Sequence, residues 1–363
     1  MIGRRPCISA RNRPHGLIEL DELVEHHVEK QDVVFGATRG GMRYFLAERL
    51  PWQVNIPEQV PGWGVQAYGV TNVNQMFNRR QFLIASTISS LIKEYTTEIQ
   101  EKYGEDKAEA IITFLQFELD KMVDYNSKYC IVNSGTRIVN TWTRPGLFMT
   151  GQYSETNPLA NSSLSGNWLQ YLYDLEKVFD NLTQRVVLRK YKPNILQMDA
   201  QHIEMEENSV DYVITDPPYY DSIPYAADSD FFYAWEKETL SNIFPELYFT
   251  DETPKDQEIV ADANLRGSAK QAKEFYEKGI SKAFSEMYRI LKPDGLAVVV
   301  FANKKMDAWE TLINAFIDSG FIITATWPVP MESRSGKLGA HKTAQLTSVV
   351  LVVARKIDKE KKR

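Results

Sequence analysis

Asp211-Tyr212-Val213-Ile214-Thr215-Asp216-Pro217-Pro218-Tyr219-Tyr220 is the stretch on which the reading of the fold turns. Tyr212 to Thr215 are mostly β-favouring and predict a short buried strand. Pro217 has no N–H to give a sheet ladder, so the strand stops at Asp216. A carboxylate, two rigid prolines and two aromatic rings therefore sit at the carboxyl end of a strand. Open α/β sheets place their ligands at that end.

The sequence around this stretch alternates strand and helix. Asn194 to Met198 predicts a strand ending in Asp199-Ala200, with a short turn through Glu207 leading to the central strand. Ala272 to Leu291 is amphipathic, with Ala283, Phe284, Met287, Ile290 and Leu291 facing inward. Lys292-Pro293-Asp294-Gly295 breaks that helix, and Leu296 to Phe301 is an apolar strand of the kind buried on both faces. Trp309 to Ser319 predicts a helix stopped by Gly320. Phe321 to Trp327 and Ser348 to Ala354 make a terminal strand pair, followed by a charged, frayed tail.

Toward the N-terminus the pattern is different. Residues 1–70 read as an arm and connector, opened by Arg4, Arg5, Arg11 and Arg13. Within it Val33 to Gly41 is a glycine-rich turn after a strand-like run, and a plain loop is the favoured reading. Residues 71–189 form a helical and loop insertion, a candidate target-recognition region. Phe82 to Tyr95 and Ala110 to Met122 carry apolar residues at helical spacing, predicting two antiparallel helices about Gly104. Residues 126–170 are polar and irregular, and long structured loops tend to carry function. Trp142, Arg144 and Trp168 are its candidate stacking or phosphate contacts, with a scaffold role equally open. A helix from Trp168 to Leu182 closes the region. Residues 190–356 form the α/β part, and 357–363 the charged tail.

Composition sets the outer limits. The chain has 363 residues, 43% hydrophobic and 25% charged, enough for one large or two modest domains. No apolar run approaches a membrane span, and two cysteines, Cys7 and Cys130, make no disulfide framework, so a cytoplasmic setting is expected. Five histidines without metal-ligand spacing give no reason to propose a metal. The net charge of −6 argues against a general polyanion-binding surface but leaves room for a local basic groove.

Asp216-Pro217-Pro218-Tyr219 resembles the signature of amino-methyltransferases, which use S-adenosylmethionine to methylate an exocyclic amine of adenine or cytosine. The residue types suit that chemistry. An exocyclic amine is a poor nucleophile because its lone pair is delocalised into the ring. Acceptors at both N–H groups, the Asp216 carboxylate and the Pro217 carbonyl, favour the pyramidal nitrogen of the transition state. Pro217 and Pro218 pin those acceptors. A base in a duplex must leave the stack to reach them, and Tyr219 offers a ring to receive it. Tyr220 and Tyr225 are further substrate-binding candidates.

The resemblance extends along the chain. Tyr68-Gly69-Val70-Thr71, Phe77 to Gln81, Asp124 to Ser127, Asn157-Pro158, Ser165 to Trp168 and Ser229 to Trp235 look like large bacterial and archaeal adenine-specific DNA methylases. Those proteins often sit beside phage-defence genes. The resemblance implies a partial class I methyltransferase (Rossmann-like) sheet, with Asp199 and Ala200 meeting the adenine of S-adenosylmethionine. It also implies a Phe-x-Gly-x-Gly cofactor loop that this sequence does not contain. The expectation is therefore the catalytic half of a split enzyme, with DNA as substrate and a partner chain supplying the glycine loop. Two other functions stay open: methylation of RNA or of a protein glutamine, and a non-catalytic DNA-binding or scaffold subunit.

Overall fold

The computed structural model describes residues 54–56, 60, 63–133, 137–143, 147, 149–152, 154–160, 165–186, 193–221, 223–303, 305–330 and 348–357. The glycine-rich run at 33–41, the arginines of the arm, Cys7, Arg144 and residues 358–363 lie outside them. The described residues fall into two compact units. The first takes its residues from Met1–Glu58, Trp63–Lys190 and Ala227–Thr253, the second from Gln59–Gly62, Tyr191–Ala226 and Pro254–Arg363. The sequence pattern assigned 227–253 to the α/β part; it groups instead with the helical unit.

The first unit is built on a helix pair, α1 (Arg79–Tyr103) and α2 (Glu105–Asp124). The Asn78 carboxamide accepts from the Arg80 and Gln81 amides at 2.8 and 3.0 Å, and the Gln81 side chain returns a bond to the Asn78 amide at 2.9 Å. This reciprocal cap satisfies donors that the helix start would otherwise leave orphaned. Gly104, at φ 81°, makes the turn between the helices. Ile88, Ile112, Leu115 and Leu119 form buried rows on the two helices.

The polar stretch after α2 contains only two short strands among the described residues, β1 (Ile131–Val132) and β2 (Ile138–Val139), paired antiparallel. Side chains hold it together. The Asp124 carboxylate accepts from Asn140 Nδ2 at 2.8 Å, and Asn126 Nδ2 donates to the carbonyls of Met122 and Gly166 at 2.8 and 2.9 Å. The Asp124 and Asn126 positions picked out by resemblance are thus scaffold bonds. Next comes α3 (Trp168–Val186), longer at its end than the pattern predicted. From Ala227 on, α4 (Tyr225–Leu240) brings Phe231 and Trp235 against Phe77, each at 5.4 Å between ring centroids.

The second unit holds a four-stranded sheet. Its strands are β3 (Val210–Thr215), β4 (Leu291–Phe301), β5 (Phe321–Pro330) and β6 (Ser348–Lys356), in the order β3-β4-β6-β5. β3 and β4 are parallel; β6 is antiparallel to both β4 and β5. Between β3 and β4 run the short α5 (Ala263–Arg266) and α6 (Ala269–Ile290), and α7 (Met306–Asp318) joins β4 to β5. The Lys292–Gly295 turn predicted to precede the strand appears as a register break at the start of β4. Tyr276, Phe284 and Met287 of α6 and Leu312 and Phe316 of α7 pack on Ala297, Val299 and Phe301 of β4 and on Val352 and Ala354 of β6.

Only one face is packed in this way. On the other, Ile214, Val298, Val353 and Ala325 stand in register across all four strands. Tyr212 is 69% exposed, Ile214 72% and Trp327 64%, so β3 is not the buried strand expected of it. β3 also ends the sheet, with no strand among the described residues on its outer edge. The strand predicted over Asn194–Met198 is absent: that segment runs without regular structure, and Ile195 is 88% exposed. An apolar alternation makes a strand only where a neighbour completes its hydrogen bonds.

Candidate functional site

β3 ends at Thr215, and the motif follows at the carboxyl end of the parallel pair. With two prolines, the run 216–218 has a single backbone N–H, so a ladder cannot anchor it. The carbonyls from Pro218 to Tyr220 are held instead. The Pro218 carbonyl accepts from the Tyr220 amide at 3.0 Å and from the Tyr276 hydroxyl at 2.8 Å. Asn303 Nδ2 donates to the Tyr219 carbonyl at 3.3 Å, and the Ala261 amide to the Tyr220 carbonyl at 3.0 Å. Among the described residues the Pro217 carbonyl takes no protein donor.

The side chains complete the geometry. Asp216 is exposed while Pro217 is buried. The Tyr219 ring meets Phe301 edge-on at 5.5 Å. Burial, then the neighbouring Asp216 carboxylate, raises the Tyr219 pKa, so the hydroxyl stays protonated. Tyr220 has φ 58°, a left-handed conformation unusual for a bulky residue, and its ring packs on Tyr276 at 5.0 Å. Lys305 pairs with Asp221 beyond the motif. The site thus offers two hydrogen-bond acceptors, the carboxylate and a free carbonyl, beside an aromatic ring.

The other sequence-derived candidates are placed differently. Tyr225 is half exposed at the start of α4. Trp142 and Trp168 belong to the first unit, and the stretch that carries Asp216 belongs to the second. Trp142 sits in an aromatic cluster with Trp63 and Phe231, at 5.7 and 5.5 Å. Trp168 is fully buried, so its ring packs the core and is not a contact surface. Of the two roles the sequence left open this is the scaffold one: an indole at the start of an amphipathic helix lies on the inner face. Sequence reasoning missed Tyr276 and Asn303. Tyr276 looks like any core position of a helix. Asn303 had a signal, being a polar residue just past an apolar strand at the ligand end of the sheet.

The proposed cofactor residues do not form a cradle. The Asp199 carboxylate accepts from the Gln201 amide at 2.8 Å, a local turn, and no paired strand leads into it. The open groove along His202–Glu206 is closed off chemically by its own pair: Arg289 donates to the carbonyls of Ile203 and Met205 at 2.7 and 2.8 Å, and Glu286 accepts from the Ile203 amide. Among the described residues two acceptors thus stand at the end of β3, and no cradle forms around Asp199 and Ala200. No group of three or more metal-ligating side chains occurs among them, and no described helix is long and apolar enough to cross a membrane. The chain matches no protein-family model and no curated protein.

Proposed function

We propose that this chain carries the target-amine half of an S-adenosylmethionine-dependent methyltransferase acting on a DNA base, with N6 of adenine the acceptor. The observation that carries the reading is the pair of unsatisfied acceptors at the end of β3. The Pro217 carbonyl takes no donor among the described residues while the next three carbonyls are tied down, and it adjoins the exposed Asp216. Such acceptors take up the two amine hydrogens and localise the nitrogen lone pair. The sheet order supports the same reading, since a parallel pair followed by an antiparallel end is what the resemblance implies for residues 190–356.

The methyl donor needs residues that the described part of the chain does not supply, and we assign them to a partner polypeptide. The open edge of β3 and the bare apolar face support that assignment, because parallel strands are normally covered on both faces. The complex belongs in the cytoplasm, with DNA. Transfer of labelled methyl groups to DNA by the chain co-expressed with its neighbouring gene products tests the reading. Transfer that depends on Asp216 supports it; DNA binding without any transfer would favour the scaffold reading instead.

A further inference from the structure

We infer that Tyr276, together with Asn303, is a positioning residue that sets the two amine acceptors by pinning the backbone behind them, an inference that rests on the proposed amine site. Tyr276 is fully buried on α6 and cannot meet a substrate. If packing were its only task, a phenylalanine would do. A buried hydroxyl requires an acceptor, and this one reaches the Pro218 carbonyl at 2.8 Å. The same carbonyl takes the Tyr220 amide at 3.0 Å, which closes a three-residue turn about Tyr219.

Asn303 acts one residue further along, from the end of β4. Its Nδ2 donates to the Tyr219 carbonyl, and it is itself fixed. Its Oδ1 accepts from the Lys305 amide at 2.9 Å and its carbonyl from Trp309 Nε1 at 3.0 Å. The Ala261 amide then holds the Tyr220 carbonyl. Three consecutive carbonyls are thus gripped from three separate segments, and the left-handed turn at Tyr220 is held by the rest. What the grip leaves free is the Pro217 carbonyl and the Asp216 carboxylate. Electrostatic catalysis depends on acceptors that do not reorganise during reaction, and here α6 and β4 supply that rigidity.

The test is Tyr276→Phe in the full chain, with Asn303→Ala as a second, independent variant, each first checked for an unchanged melting transition. Hydrogen exchange should quicken at the Tyr220 and Ala261 amides, by about tenfold for the loss of one net hydrogen bond. The amides of Ile280 and Phe284 in α6 should not change. In the co-expressed enzyme kcat should fall by up to about 100-fold while the KM for DNA holds, as expected for misplaced acceptors. Unchanged exchange in both variants, or faster exchange with unchanged kcat in an active enzyme, overturns the positioning role. A wild-type enzyme that transfers no methyl group overturns the amine-site reading alone, and exchange still judges the pinned loop.

Discussion

The carboxylate of Asp216 lies near enough to the hydroxyl of Tyr219, three residues on, to add to what burial does in raising its pKa. In the proposed site a target amine takes that carboxylate, which leaves the Tyr219 ring as the binding surface. Tyr219→Phe should then keep methyl transfer, whereas Tyr219→Ala should weaken DNA binding by roughly 1–3 kcal/mol through lost stacking. Equal damage from both changes, read from DNA affinity, would assign the role to the hydroxyl instead. Asp216→Ala should lower kcat by about 10²–10³ with the fold intact, the usual cost of one oriented charge-stabilising group.

The bare face of the sheet makes a separate prediction. Ile214 and Trp327 are largely exposed, so Ile214→Lys or Trp327→Lys should change the stability of the chain alone by no more than about 0.5 kcal/mol. Solubility should rise, and the complex with the partner polypeptide should be lost on size exclusion. A complex that survives both changes would remove this face from the interface. If the partner is obligate, the interface should exceed roughly 2,000 Å².

The two units should respond to pH in opposite directions. In the first, burial raises Glu118 to about 7 and Asp228 to about 6, and it also raises Asp120 and Glu236, which share a hydrogen bond. Lys121 lowers Glu118 and Asp174 raises it; the Trp63 indole lowers Asp228. Between their unfolded values near 4 and these folded values, the folded unit holds more protons than the unfolded chain. Its stability is therefore full at low pH and falls as pH rises through about 7. Urea unfolding at pH 5, 6, 7 and 8 should show the decline, and Glu118→Gln should flatten it. In the second unit, the hydrogen bond from Arg289 holds Glu286 down to about 2. That contribution is present above pH of about 4 and is lost as pH falls toward 2. Hydrogen exchange at residues 203–206 in acid reads it.

Gly166 has φ 84°, and a Cβ there would lie 2.8 Å from both Asn126 Nδ2 and Thr156 Oγ1. Gly166→Ala should cost about 1–3 kcal/mol through backbone strain, before any damage to the Asn126 bonds. Chemical denaturation measures it, and a change below 0.5 kcal/mol would show that the loop yields easily.

The parts of the fold legible in the sequence are those set by local pattern. The strand ending at Asp216, the two helices about Gly104 and the pairing of β5 with β6 all follow from periodicity and from proline or glycine stops. The Asn194–Met198 segment was misread because its apolar spacing says nothing of whether a neighbour exists to bond it. Trp168 stays open between contact and scaffold in the sequence because loop composition does not reveal which ring turns inward. Asp216 and Pro217 could be proposed from the sequence because the chemistry proposed for them is compressed into adjacent residues. Tyr276 could not, since the carbonyl it bonds is 58 positions away.

The strand order has a consequence for synthesis. Among the described residues β5 leaves α7 with β6 as its one strand partner, and β6 is made last of the four, inserting between β4 and β5. Until Ser348–Lys356 has left the ribosome, β5 has no strand to bond and β4 has only β3. The sheet therefore closes in one late event rather than strand by strand. A nascent chain halted between Pro330 and Ser348 would display an apolar β5, an invitation to chaperones or to aggregation.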